Sequence, residues 1–240
     1  MSFTKEIKEI LTLIKNFKEK EMRNLSKKIL VAFIILFGLY YIFFPHYIPE
    51  SLILVFKVIP MLLIIILAAT VKNLGIKKYQ YLIVIGLAFC MVGDYTLQWF
   101  LIGLTSFLIG HIFYILAFFS TNERQIPTWA KIVLLVYGAS MAVWIAGIVF
   151  SSGEVVLGIA IIAYIAVILT MGWTAIRTDS TFATIGALLF ISSDSYLAIN
   201  KFVMPLPFSH EVIMLTYYSA QVLIAFSILQ YSELRSKVLQ

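Results

Sequence analysis

Apolar residues run through this chain in eight long stretches, set apart by brief polar punctuation. Their approximate limits are 28–44, 51–71, 79–101, 103–120, 129–150, 154–176, 181–202 and 210–232. Most approach the ~20 residues that a helix rising about 1.5 Å per residue needs to cross a bilayer. Breakers separate several of them: Pro45 and Pro49, Pro127, Ser151-Ser152-Gly153, and Pro205 and Pro207. Between the third and fourth stretches only Ile102 and Gly103 mark a turn. The first residues follow another pattern. Phe3, Ile7, Ile10, Ile14 and Phe17 recur at three- and four-residue intervals, with Lys5, Lys8, Lys15, Lys18 and Lys20 mostly between them. That pattern predicts an amphipathic helix over residues 3–22, lying in the membrane interface. Its charged region is too long for a secretory signal, and no small-residue cleavage site follows a short apolar core. The expected architecture is an all-α polytopic membrane protein. A basic N-terminal arm (1–27) precedes an eight-helix transmembrane domain (28–232) and a short tail (233–240).

Composition agrees with this pattern and excludes alternatives. Hydrophobic residues make up 62% of the 240 and charged residues 12%, about half the charge of a soluble domain. Mean hydropathy is +0.99. The lone cysteine, Cys90, rules out an intramolecular disulfide and a multi-cysteine metal site. A net charge of +6 points to anionic lipid headgroups, above all at the N-terminal arm, and not to nucleic acid, because the basic residues gather at membrane edges. Lys5, Lys8, Lys15, Lys18, Lys20, Arg23, Lys27 and Lys28 precede the first span, and Lys72, Lys77, Lys78, Arg124, Lys131, Arg177, Arg235 and Lys237 fall on the same side. The other side receives only Lys201, and Lys57 lies within the second span. The bias places both termini in the cytoplasm and requires an even number of spans.

Against this background two acids stand out. Asp94 lies inside the apolar stretch 87–100, and Asp194 inside a second one about a hundred residues later. Gly86 and Gly186 each precede the aspartate by eight residues, and Leu97 and Leu197 each follow it by three. This spacing is consistent with a parallel 4+4 repeat, two four-helix units related by an axis along the membrane normal. A carboxylate in hydrocarbon costs roughly 2.5–3.5 kcal/mol on insertion scales, so such residues face the protein interior and find partners. Counting ~1.5 Å per residue from the outer ends of the spans puts Asp94, Asp194, Lys57 and His111 roughly 9–12 Å deep, with Tyr164, Tyr217, Tyr218 and Gln221 in a layer about 10–17 Å deep. One polar pocket opening outward accounts for that shared layer. Two carboxyls held close in low dielectric do not both ionise, so the pocket contains one acid and one base. Glycosidases use such a pair to cleave an acetal through an oxocarbenium-like state. No His-x-x-x-His spacing favours a metal, no Gly-x-Ser-x-Gly elbow is present, and no cofactor is indicated. A proton-coupled transporter built on the same carboxylates, and a noncatalytic lipid-binding protein, are the competing classes.

Longer strings carry a family resemblance. Gly93-Asp94-Tyr95-Thr96-Leu97, followed by Gly103-Leu104 and Phe107-Leu108-Ile109-Gly110-His111-x-x-Tyr114, resembles the first signature of the YhhN-like lysoplasmalogenase family. The second signature is similar to residues 186–202, with Ser193-Asp194-x-x-Leu197-Ala198-x-Asn200-Lys201-Phe202 at its end. Tyr217-Tyr218-Ser219-Ala220-Gln221 resembles the closing span, and Lys57-Val58-Ile59-Pro60 the Lys-Pro segment with two residues inserted. The resemblance implies hydrolysis of the vinyl ether bond of lysoplasmalogens, giving a fatty aldehyde and a glycerophospho-headgroup. It implies a lysophospholipid as substrate, and the pocket chemistry suits that reaction, with the acid and base roles expected to fall to Asp94 and Asp194 jointly. Lys57, His111, Tyr114, Tyr164, Asn200, Tyr217, Tyr218 and Gln221 are then expected to position water and substrate.

Overall fold

The computed structural model describes residues 25–71, 76–121 and 125–238, which form helices and turns. Among the described residues, eight helices are long and apolar enough to cross a membrane. They are α1 (Leu25–Phe43), α2 (Glu50–Ala69), α3 (Lys77–Thr96), α4 (Phe100–Phe119), α5 (Thr128–Ser151), α6 (Val155–Arg177), α7 (Thr181–Phe202) and α8 (Ser209–Val238). The arm expected at 3–22 lies outside the described residues. The last helix continues past the expected end at 232, so much of the segment assigned to a tail is helical. Helices satisfy their own backbone groups, which is why apolar runs of this length adopt them in lipid. Large side chains such as Leu135, Val143, Val156 and Ile159 remain exposed on the bundle surface, as a lipid-facing surface requires.

Six helices close into a ring in the order α2, α3, α4, α6, α7, α8, with α8 returning to α2; α5 lies outside it against α6. On the opposite flank α1 packs on α8, where Tyr41 meets the rings of His210 and Tyr218. The closest pairings are α3 with α4 and α7 with α8. Glycine permits both. A Cβ on Gly86 would stand 2.4 Å from the Tyr114 ring and 3.0 Å from the Gly110 carbonyl, and one on Gly186 would stand 2.9 Å from Ile224 and 3.0 Å from the Ala220 carbonyl. Small residues at helix crossings are how backbones approach in membranes, where no hydrophobic force drives helices together.

One boundary departs from the sequence reading. The turn between α3 and α4 occupies residues 97–99, not Ile102-Gly103. Trp99 N–H closes it on the Thr96 carbonyl at 2.8 Å. Gly103 lies inside α4, where a Cβ would meet the Leu97 Cα at 2.6 Å. It is a packing glycine that lets the chain double back, and not the turn itself. Asp94 is therefore two residues from the end of α3, whereas Asp194 is eight from the end of α7. Counting inward from the end of each helix therefore gives the two aspartates different distances, two residues against eight.

Candidate active site

Asp94 on α3 and Asp194 on α7 line one cavity of about 100 Å³, together with Lys57 from α2, Tyr164 from α6 and Tyr217 from α8. That is room for several water molecules. The rest of the wall is largely apolar, with Leu104, Met141, Ile145, Ile161, Ile168 and Ile191 among its members. On α5, Ile145 lies within a single π turn, Ala142–Ala146, and Met141 immediately precedes it. Wide turns of this kind recur at functional sites.

The two carboxyls have unequal surroundings. Asp94 is 3% exposed, with Lys57 Nζ 3.5 Å from Oδ1. The same ammonium donates to the Asp94 backbone carbonyl at 3.2 Å, and the Tyr217 hydroxyl donates to Oδ2 at 2.6 Å. A cation and a hydroxyl donor both favour the ionised carboxyl. Lys57 is positioned in turn by its own helix. Pro60 cannot donate to the Phe56 carbonyl, which loosens α2 at this point. The Tyr218 hydroxyl donates to the neighbouring Lys57 carbonyl at 2.7 Å, the kind of replacement that makes a membrane proline tolerable.

Asp194 is half-buried and accepts a hydrogen bond from the Tyr164 hydroxyl at Oδ2. Among the described residues it has no ion-pair partner; the ion pair found there joins Lys57 to Asp94. Asp94 lines the same cavity. The cavity thus holds one acid group matched with a cation and one matched only with a neutral donor.

Five of the residues singled out in the sequence do not reach the cavity wall. His111 is fully buried, packed edge-on against Phe190 at 4.5 Å and Tyr164 at 5.4 Å, and among the described residues neither ring nitrogen has a hydrogen-bond partner. Tyr114 donates to Gln221 Oε1 at 2.7 Å, forming a buried cross-link from α4 to α8. Tyr218 is spent on the Lys57 carbonyl, and Asn200 Oδ1 accepts from the Leu206 N–H at 2.8 Å, tying down the loop after α7. Conversely, the cavity includes Tyr137 and Ser195, which were not singled out for the site. The Tyr137 hydroxyl donates to Ser195 Oγ at 2.5 Å, linking α5 to α7, and Ser195 donates to the Ile191 carbonyl at 2.7 Å. Adjacency to Asp194 was the signal for Ser195. Nothing in the sequence separates Tyr137 from its apolar neighbours.

Fold and site together define a multi-pass integral membrane protein with a two-carboxyl cavity set among its helices. The chain belongs to the YhhN family, whose sequence profile matches residues 52–228, a stretch containing both aspartates. It is similar to lysoplasmalogenase TMEM86B of Sus scrofa, 37% identical over 147 residues, which is 60% of this chain and 62% of the relative. Lysoplasmalogenase TMEM86A of Bos taurus is 32% identical over 166 residues, covering 63% of this chain and 66% of that protein. Lysoplasmalogenase TMEM86B of Rattus norvegicus is 31% identical over 211 residues, or 86% of each. The aligned stretch therefore spans just under two thirds of the pig and cattle proteins. No solved structure matches the chain.

Proposed function

We propose that this protein hydrolyses the vinyl ether bond of lysoplasmalogens, releasing a fatty aldehyde and a glycerophospho-headgroup. The observation that carries this reading is the meeting of Asp94 and Asp194, a hundred residues apart, on one cavity whose remaining wall is mostly apolar. The names of the relatives supply the substrate class. A vinyl ether is cleaved by protonation of its β-carbon, which leaves an oxocarbenium ion; water adds, and the hemiacetal collapses to aldehyde and alcohol. Asp194, which has no cation beside it, is the proton donor. Asp94, ionised beside Lys57, stabilises the cation and orients the water. The proton lost by the adding water returns to the donor, so water is the one reagent consumed.

The wider arrangement follows from the same reading. Lys77, Lys78, Lys131 and Arg177 lie at the end of the bundle opposite the cavity, which supports cytoplasmic termini and a cavity opening outward. The matched Gly86 and Gly186 crossings support descent from a duplicated four-helix unit.

The test is aldehyde release from 1-alkenyl-lysophosphatidylethanolamine by purified protein in detergent. Wild type releases aldehyde. Asp94→Asn and Asp194→Asn each lose essentially all of it while remaining monodisperse. Wild-type turnover in both variants would discard the two-acid mechanism. Proton flux in liposomes with no lipid cleavage would replace the hydrolase by a transporter.

A further inference from the structure

A lysophospholipid carries a phosphate as well as an ether, and the two-acid cavity offers it no free cation. Lys57 is committed to Asp94 through both its side chain and its backbone carbonyl. The sequence contains one other lysine or arginine on a span at this end of the bundle, Lys201, in the last turn of α7. Its ammonium lies 4.6 Å from the centre of the Phe100 ring and 5.9 Å from that of Phe202. Those two rings meet edge to face at 5.3 Å, and both belong to the cavity wall. The aromatic faces hold the cation over the rim, while the residue itself stays exposed. Among the described residues it forms no ion pair.

Building on the hydrolase reading, we infer that Lys201 binds the phosphodiester of the substrate and thereby sets how deep the ether enters. Lys201 follows Asp194 by seven residues, which is a rise of about 10 Å along one helix. The glycerol carbons between ether oxygen and phosphate span part of that rise, and the lysine side chain spans the remainder. With the phosphate at the rim, the vinyl ether reaches the carboxyls and the alkenyl chain continues along Ile161, Ile165 and Ile168, which form the α6 wall. The same chemistry exists in the headgroups of bulk phospholipid, so a lysine anchored to the membrane surface is the competing explanation.

Binding of substrate-like ligands that cannot turn over separates the two. The probes are 1-alkyl-glycerophosphoethanolamine, which has the phosphate and a saturated ether, and 1-alkylglycerol, which lacks the phosphate. Both are titrated calorimetrically into protein held in nonionic detergent free of phospholipid. For Lys201→Ala the Kd of the phosphate-bearing probe rises about tenfold, as loss of one charge-assisted contact predicts, while that of alkylglycerol is unchanged. Lys201→Arg keeps most of the affinity. An unchanged Kd for the phosphate-bearing probe, or an equal rise for both, overturns the inference. Because no bond is broken, the result does not depend on turnover: aldehyde release with unaltered binding would sink the lysine's role alone, and absence of aldehyde release would sink the hydrolase.

Discussion

Replacing Lys57 by methionine is the most informative single change, because it removes the charge and keeps the length of the side chain. At 3.5 Å and an effective dielectric of about 20, the ammonium–carboxylate attraction is about 5 kcal/mol. Breaking a buried pair from one side typically costs ~3–5 kcal/mol, and Asp94, 3% exposed, escapes that cost by taking up a proton. It then no longer presents an anion to the oxocarbenium ion. Loss of one such electrostatic stabiliser lowers kcat by ~10²–10³. Aldehyde release from lysoplasmenylethanolamine should fall by that factor in Lys57→Met, and Lys57→Arg should retain much of the rate. The decisive comparison is with Asp94→Asn. If Lys57 acts through Asp94, the double variant Lys57→Met with Asp94→Asn is no slower than Asp94→Asn alone. Losses that multiply would show that the lysine acts on something else, and a Lys57→Met rate within about threefold of wild type would refute the need for an ionised Asp94.

Further outcomes follow from the same geometry. Tyr217→Phe removes the 2.6 Å donor to Asp94 and should lower kcat about tenfold, the worth of one hydrogen bond to a charged group, with KM little changed. Tyr164→Phe should slow turnover by a similar factor, because Asp194 loses the donor that fixes its orientation; a rate equal to wild type would mean the rotamer is set by packing. Tyr218→Phe leaves the Lys57 carbonyl without its hydroxyl and should lower thermal stability by about 1 kcal/mol, read as a fall in Tm. Gly186→Leu forces a side chain against Ile224 and the Ala220 carbonyl and should cost ~1–3 kcal/mol, while a conservative change at lipid-exposed Leu135 should leave Tm within a degree or so.

How much the sequence could reveal depended on whether a signal was local. The spans were legible because each is an uninterrupted apolar run, and the acids because a carboxylate in such a run is conspicuous. The α3–α4 turn was misplaced for the opposite reason. Leu97-Gln98-Trp99 carries neither glycine nor proline to mark a turn, and Gly103, which looks like a breaker, serves a backbone contact with Leu97 that only the fold creates. Depth counting placed His111 and Gln221 in a layer with the aspartates, and the family resemblance added Tyr114, but neither says which way round its helix a residue faces. His111 packs against Phe190 of α7 and Tyr164 of α6, while Tyr114 and Gln221 bond to each other between α4 and α8. Asn200 looked like a site residue beside Lys201, and its amide instead accepts the Leu206 N–H.

The inequality of the two carboxyls has its origin one helix away from either of them. On the proposed duplication, α3 matches α7 and α2 matches α6. The helix packed on α3 supplies Lys57 to Asp94, whereas the helix packed on α7 supplies Tyr164 to Asp194. A repeat that stayed symmetric would place two like groups in like surroundings, and neither would be assigned to donate or to hold charge. Ammonium in one half and phenol in the other break that equivalence. The acid and the base are thus distinguished by their neighbours rather than by their own chemistry. Exchanging the partners, Lys57→Tyr with Tyr164→Lys, should therefore move the ionised role from Asp94 to Asp194. In that background Asp194→Asn should acquire the kinetic signature that Asp94→Asn has in the parent, a loss that a further change at the introduced lysine does not deepen. An exchanged protein that remains monodisperse, yet in which Asp94 alone keeps that coupling, would show that the roles are fixed by cavity shape.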